Sequence, residues 1–231
     1  MRFSTANKKK HFWIALLALM CVVTNVRAQQ NDFGVWTSVT LRHKFTQRIA
    51  VSLEEEFRFN QNATAIAQYF TDASIEYELS KKLEIALSYR FTNSFQQMYF
   101  SKRHRVYADL SYKTKYKQFQ FQFRTRLQEQ QQDIYSSETG SIPEWYSRNK
   151  LTVKFDLRRK YVPYVSAEMF YRIFTPDQSS NFIDKWRYTI GAEYEFNRIH
   201  TLDVFYLMQR ERMVNNPITD FVFGIGYTYT F

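Results

Sequence analysis

The chain has 231 residues, enough for one domain of ordinary size. Aromatic residues make up 19% of it, whereas it holds only 5 glycines and 4 prolines, a composition that favours long strands. Its formal charge is +10, but 5 of the 32 basic residues lie within the first 28 positions, which hold no acid. The remainder therefore carries 27 basic and 22 acidic residues, or +5. This mild excess excludes a strongly basic nucleic-acid-binding domain.

The first 28 residues have the order of a secretory signal peptide. Lys8-Lys9-Lys10 form a basic start, an apolar run covers 12–23, and Ala28 provides a small residue for cleavage. The run is too short to span a membrane as a helix. We therefore expect a signal peptide at 1–28 and a mature domain at 29–231. Because the only cysteine is Cys21, that mature domain would have no disulfide and no thiolate metal site.

From about residue 33 onward, apolar and polar residues alternate with a period of two, which is the pattern of β-strands. In the sixth segment, for example, Phe119, Phe121 and Phe123 alternate with glutamine and arginine. Eleven segments show the pattern, near 33–45, 49–59, 68–79, 83–91, 103–112, 119–130, 148–157, 161–172, 186–196, 201–211 and 221–231.

The connections between these segments alternate in length. Short turns are predicted at 46–48, 80–82, 114–117, 158–160 and 197–198, and longer loops near 60–66, 92–102, 131–147, 173–183 and 213–220. Short turns at one rim and long loops at the other are typical of outer-membrane barrels. We predict an all-β fold, a transmembrane up-and-down antiparallel β-barrel of 10–12 strands. Because such bacterial barrels have even strand numbers, the eleven segments leave ten or twelve open.

In a membrane barrel the apolar face meets lipid, so the charged face is predicted to line the lumen. Acidic and basic residues on that face are nearly equal in number, which predicts mutual pairing in a sealed lumen. The candidate network is Glu54, Glu56, Arg58, Asp72, Glu76, Arg90, Arg103, Arg105, Arg124, Arg126, Lys150 and Glu168. Alternatively, the basic wall of the fifth to seventh strands holds an anionic ligand.

The position of the turn between the fifth and sixth segments decides which of these charges are neighbours. A hairpin turning at 113–118 would set Arg105 beside Arg126. Like charges directly opposed are unfavourable, so both arginines would need carboxylate partners from across the barrel. The candidates are Glu54, Glu56 and Glu76.

The last strand ends the chain on an aromatic series. Tyr227, Tyr229 and Phe231 lie on one face of it, and Phe231 is the final residue. This ending resembles the terminal strand of bacterial outer-membrane barrels, which the barrel-assembly machinery reads. We therefore expect these three residues to act as an assembly signal, and we expect the assembly machinery and outer-membrane lipids to be partners.

Several further motifs recur in one order along the chain: Trp36, 56–58, Tyr89-Arg90, 124–126, 163–170 and 186–191. In this order they resemble the domain-of-unknown-function family 2490, found in Bacteroidota and proteobacteria. The resemblance implies a barrel in the outer membrane of a Gram-negative bacterium. It implies no activity.

No catalytic constellation is visible in the sequence. Outside the leader the histidines are His43, His104 and His200, and all three fall on the apolar, lipid-facing series near strand ends. No two histidines share a segment, which argues against a metal site, and no cofactor motif is present. We expect a non-catalytic barrel with a scaffold, adhesion or lipid-contact role and no nucleic-acid partner. The alternatives are a narrow channel for small solutes and a lipid-active enzyme.

Overall fold

A computed structural model describes residues 31–96, 99–133, 141, 143–157, 159–174, 182–214 and 217–231. The predicted signal peptide at 1–28 lies outside the described residues. Within them, no helix has the length and apolar character needed to cross a membrane. The strands are β1 (Asn31–Lys44), β2 (Ile49–Asn60), β3 (Ala65–Glu78), β4 (Leu83–Gln96), β5 (Tyr99–Tyr116), β6 (Phe119–Gln132), β7 (Glu144–Phe155), β8 (Tyr161–Phe174), β9 (Phe182–Glu195), β10 (His200–Glu211) and β11 (Thr219–Thr230).

These eleven strands form one closed barrel, which confirms the predicted all-β, up-and-down fold. Consecutive strands pair antiparallel, and the barrel closes where β1 runs parallel to β11, from Asn31 opposite Thr219 to Arg42 opposite Thr230. Eleven strands lie within the predicted range of 10–12, but the expectation of an even number does not hold, because β1 spans the barrel in full and no twelfth strand among the described residues takes part in the closure. The parallel ladder satisfies the backbone hydrogen-bonding groups of both edge strands, since each edge strand finds a continuous partner in the other.

The odd number places the first and last strands' free ends at opposite rims. Asn31 lies at the rim where β2, β4, β6, β8 and β10 end, which we call the loop rim. Phe231 lies at the other rim, the turn rim, where its N–H donates to the carbonyl of Arg42 at 2.9 Å and its carbonyl accepts from the N–H of Lys44 at 3.1 Å. The final residue therefore completes the closing ladder.

Two predicted connections were misplaced. The loop expected at 92–102 is instead strand almost throughout, since Asn93 pairs with Lys102 and Ser94 with Ser101, because polar side chains beyond the apolar belt do not end a ladder. The turn expected at 114–117 lies at Lys117-Gln118, where Lys117 adopts a positive φ of 54°. This shift changes every pairing between β5 and β6.

The outer and inner faces differ in chemistry. Apolar side chains such as Leu87, Val165 and Ile190 point outward and remain 51–61% exposed. The interior holds polar and charged groups packed with a few aromatic rings, and both Glu168 and Phe70 are almost fully buried there. The barrel therefore has its charges inside and its apolar surface outside, as the alternation of the sequence predicts.

Candidate functional site: the charged lumen

The interior of the barrel encloses a cavity of about 970 Å³. Its walls come from every second residue of the strands, because side chains alternate between the two faces of a sheet. All twelve residues predicted for the charge network line this cavity: Glu54, Glu56, Arg58, Asp72, Glu76, Arg90, Arg103, Arg105, Arg124, Arg126, Lys150 and Glu168.

One group of paired charges lies on β3 to β5. The guanidinium of Arg90 donates to the carboxylate of Asp72 at 2.5 Å, and the hydroxyl of Tyr107 donates to the same carboxylate at 2.6 Å. The buried ring of Phe70 lies 3.6 Å from the Arg90 guanidinium carbon, which makes a cation–π contact. Asp72 thus links side chains from three different strands and leaves none of its charge unopposed.

The predicted acids on β2 and β3 have local partners. Arg58 pairs with Glu56 two residues away on the same strand, and its guanidinium lies 3.7 Å from the ring centre of Trp36. Glu76 pairs with Arg42, reaching across the intervening strand β2. Thr40 donates a long hydrogen bond, 3.5 Å, to Glu54. None of these acids bridges the lumen to the arginines of β5 and β6.

The expected contact between Arg105 and Arg126 was therefore wrong. With the turn at Lys117-Gln118, Arg126 lies opposite Asp109 and Arg105 lies opposite Gln130. Arg126 donates two hydrogen bonds of 2.7 Å to the Asp109 carboxylate, a bidentate geometry that suits arginine. Arg105 instead donates to the neutral amide oxygen of Gln130 at 3.1 Å.

A second group is centred on Glu168 of β8. Its carboxylate accepts from Arg124 at 2.7 Å and from Arg148 at 2.8 Å, and Arg187 lies 3.6 Å away. Lys150 lies opposite Glu168 on one side and opposite Arg124 on the other. We call these five residues the Glu168 cluster.

The sequence-based network did not include aromatic residues, although the interior contains several. Phe170 lies within 5.0 Å of the guanidinium carbons of both Arg148 and Arg187, and Tyr164 donates to Asp203 at 3.1 Å. The period of two places these rings on the inner face, so parity alone would have identified them. They were missed because the predicted network was compiled from charged side chains alone.

The three histidines lie among outward-facing aromatic rings. His104 Nδ1 is 2.7 Å from the hydroxyl of Tyr89, and His200 Nδ1 is 2.5 Å from that of Tyr227. His43 contacts the ring of Phe231 with ring centres 4.8 Å apart. In the described part of the chain, no three metal-ligating side chains are arranged to hold a metal ion.

The aromatic series of β11 lies on the outer face at the turn rim. The rings of Tyr229 and Phe231 stack with centres 5.5 Å apart, and Tyr227 stacks on His200 at 6.0 Å. The residues predicted as an assembly signal therefore form one continuous surface with His200 and His43.

Comparison with known proteins gives one family match. The model of a family described as "Protein of unknown function (DUF2490)" matches residues 33–219, nearly the whole barrel. Among solved structures, the chain is similar to the translocator domain of autotransporter NalP from Neisseria meningitidis, with 13% identity, 92% of each chain covered and a TM-score of 0.46. The comparison with curated proteins gives no match.

Proposed function

We propose that this chain, which belongs to the DUF2490 family, is a non-catalytic β-barrel of the bacterial outer membrane whose lumen is closed to ion flow by paired charged side chains. The role left for such a barrel is that of a scaffold, an adhesion surface or a lipid-contact protein. Its proposed partners are outer-membrane lipids and the barrel-assembly machinery.

The outer surface supports the membrane location. A closed barrel in water would hide its apolar face, yet here large apolar side chains from every part of the wall remain exposed, including Val39, Leu110 and Ile190. Apolar area of this extent on a soluble monomer is unusual. The charged interior and the outward-facing aromatic series of β11 fit an outer-membrane barrel, and the predicted signal peptide fits export to that membrane.

The observation that carries the closed lumen is that interior ion pairs reach past the neighbouring strand. Arg42 of β1 pairs with Glu76 of β3, and Arg124 of β6 pairs with Glu168 of β8. Lys154 of β7 pairs with Glu193 of β9 at 2.6 Å. Side chains that extend this far along the inner wall occupy the space an aqueous pore would need, because small barrels are narrow enough for side chains to fill.

Recordings of the current through planar lipid bilayers that contain the protein test whether the lumen is closed. We expect the wild-type protein to be electrically silent and the Arg124→Ala, Arg126→Ala double variant to show leak currents and lower thermal stability. Lys113→Ala with Lys115→Ala is the matched control, since it also removes two cations, but near the turn rim, where these lysines are 34% and 56% exposed. Steady, large conductance from the wild-type protein would contradict a closed lumen.

The cavity of about 970 Å³ favours a second candidate, a narrow channel for small solutes. Such a channel would conduct in the wild type, with selectivity set by the charges on its wall. The same recordings therefore separate the two functions. A reversal potential that shifts under a salt gradient, with no mutation needed, would establish the channel and reject the closed lumen.

The proposal that the barrel is not an enzyme rests on where its histidines lie. A general base needs a substrate beside it, whereas His104 and His200 hydrogen-bond tyrosines on the outward-facing wall and do not line the lumen cavity. Incubation with outer-membrane lipids, followed by mass spectrometry, tests this point. A lipid product formed by the wild type and lost in His104→Ala would instead identify a lipid-active enzyme.

A further inference from the structure

The Glu168 cluster carries more positive charge than its own acid can neutralise. Arg124, Arg148, Lys150 and Arg187 surround one carboxylate, so four cations meet a single negative charge. Asp109 is 4.0 Å from Arg124, but it is already engaged by two hydrogen bonds from Arg126. The four cations therefore outnumber the acids that lie within ion-pair distance of them, in an interior where burial makes unbalanced charge costly.

The strand register increases this imbalance. Across the β6–β7 pair, Arg124 lies directly opposite Lys150 and Arg126 directly opposite Arg148. Like charges opposed on one face of a sheet are unfavourable, and two such pairs lie side by side here. A network that served only to fill the lumen would gain by placing a carboxylate at one of these positions, as it does with Asp109 opposite Arg126.

Several donors in the cluster have no acceptor. Lys150 has no hydrogen-bond or ion-pair partner among the residues that the structure describes, although its ammonium carries three donors. The Nε atoms of Arg124 and Arg187 are buried and likewise lack a hydrogen-bond partner there. The Lys150 ammonium, on a side chain that lines the cavity, is therefore the donor best placed to meet an acceptor supplied from outside the chain.

We propose that the Glu168 cluster binds a soluble, multivalent anion that carries phosphate groups, with Lys150 and the guanidinium groups of Arg124 and Arg187 as its ligands. Guanidinium forks bind phosphate oxygens in pairs, and a lysine ammonium adds a point charge. The cavity of about 970 Å³, which all three of these residues line, provides the space for a small molecule. This inference goes beyond the closed lumen and holds whether or not the barrel conducts.

Lys154 provides a matched control on the same strand. Both lysines of β7 face the interior, but Lys154 donates to both carboxylate oxygens of Glu193 at 2.6 and 2.7 Å. A ligand that needs a free ammonium should therefore depend on Lys150 and not on Lys154. Replacement of either lysine by methionine keeps the length of the side chain and removes one charge.

The test is isothermal titration calorimetry of the refolded barrel in detergent with sodium pyrophosphate, at ionic strength held constant with sodium chloride. We expect saturable binding at one site in the wild type, weakened about tenfold or more in Lys150→Met, since a charge-assisted hydrogen bond contributes about 1.5–3 kcal/mol. Lys154→Met should bind as the wild type does. Absence of saturable binding in the wild type, or equal weakening by the two variants, would overturn the proposal.

A second titration separates the possible sources of phosphate. Phosphatidic acid in mixed detergent micelles presents the same group on a lipid, and binding in this arm alone would contradict a soluble ligand.

Folding of each variant is checked by its heat-modifiable mobility on gels. Without ligand, Lys150→Met should unfold at the same or a higher temperature than the wild type, because it removes a cation from a repulsive cluster, and a marked loss of stability would indicate that Lys150 holds the barrel together instead.

Discussion

The ring of Phe205 occupies the space that a side chain at position 224 would need. Phe205 on β10 and Gly224 on β11 are direct neighbours facing the interior, and a Cβ atom at Gly224 would overlap the outer atoms of the phenyl ring. A Cβ at Gly191 on the other flank of β10 would lie 2.9 Å from the Cβ of Phe205 and 2.7 Å from the ring of Tyr164. The two glycines thus allow aromatic rings to lie against the inner wall.

Replacement of Gly224 by alanine should therefore destabilise the barrel, although alanine is otherwise the better strand residue. Overpacking of a filled interior costs about 1–3 kcal/mol, more than the roughly 0.5–1 kcal/mol that glycine itself costs in a strand. The measurement is the urea midpoint of unfolding in detergent. Gly226→Ala is the control, since its Cβ would lie 3.0 Å from the hydroxyl of Ser38 and 3.8 Å from Asp203. If Phe205→Leu does not relieve the effect of Gly224→Ala, the ring is not its cause.

The strands were predictable because the period of two repeats throughout the chain with few breaks. The turn between β5 and β6 was not, since Lys117 adopts a left-handed conformation that lysine seldom signals, and the two-residue turn gives no cluster of glycine, asparagine or proline. That one turn decides whether Arg126 faces Arg105 or Asp109.

The charged interior was predictable as a surface but not as a set of contacts. Parity places Arg42 and Glu76 inside, yet their pairing across β2 depends on the stagger between strands, which no local pattern encodes. The parallel closure of β1 on β11 was missed for a related reason. It joins residues from opposite ends of the chain, and the expectation of an even number of strands excluded it.

The parallel seam predicts a specific disulfide. Ser38 on β1 lies opposite Gly226 on β11, and a Cβ at Gly226 would be 3.0 Å from the hydroxyl oxygen of Ser38. In a Cys21→Ser background, Ser38→Cys with Gly226→Cys should form a cross-link on mild oxidation, because paired strands hold Cα atoms within the range a disulfide spans. The readout is a mobility shift on denaturing gels that reductant reverses.

The matched pair for this test is Ser38→Cys with Thr228→Cys, two residues along the same face, since Thr228 is the partner of Thr40. It should cross-link much less. Equal cross-linking of both pairs, or cross-linking of the control alone, would mean that β1 and β11 are not paired in the register described.

Glu168 should contribute more to stability than any rim acid. It is only 2% exposed and neutralises guanidinium groups from β6, β7 and β9. Glu168→Gln leaves those cations without their carboxylate, and removing one partner of a buried ion pair costs about 3–5 kcal/mol. The urea midpoint should fall clearly.

Glu193→Gln provides the comparison for Glu168→Gln. Glu193 pairs with Lys154, and both side chains are about one-quarter exposed, so solvent screens the loss. We expect a much smaller change in its urea midpoint. Similar urea midpoints for the two variants would show that Glu168 contributes no more to the stability of the barrel than Glu193 does.

Phe231 is expected to serve both closure and assembly, and two changes separate these roles. Deletion of Phe231 removes its ring and also its hydrogen bonds to Arg42 and Lys44, whereas Phe231→Ala keeps the backbone and removes only the ring and its contacts with Tyr229 and His43. If the ring is read by the assembly machinery, both variants should show less heat-modifiable protein in the outer membrane and more periplasmic degradation.

Purified Phe231→Ala should nevertheless refold in detergent as the wild type does, since the closing ladder is intact. Wild-type abundance of folded Phe231→Ala in the membrane would mean that the ring is no assembly signal, and failure of the purified variant to refold would assign its effect to closure of the barrel.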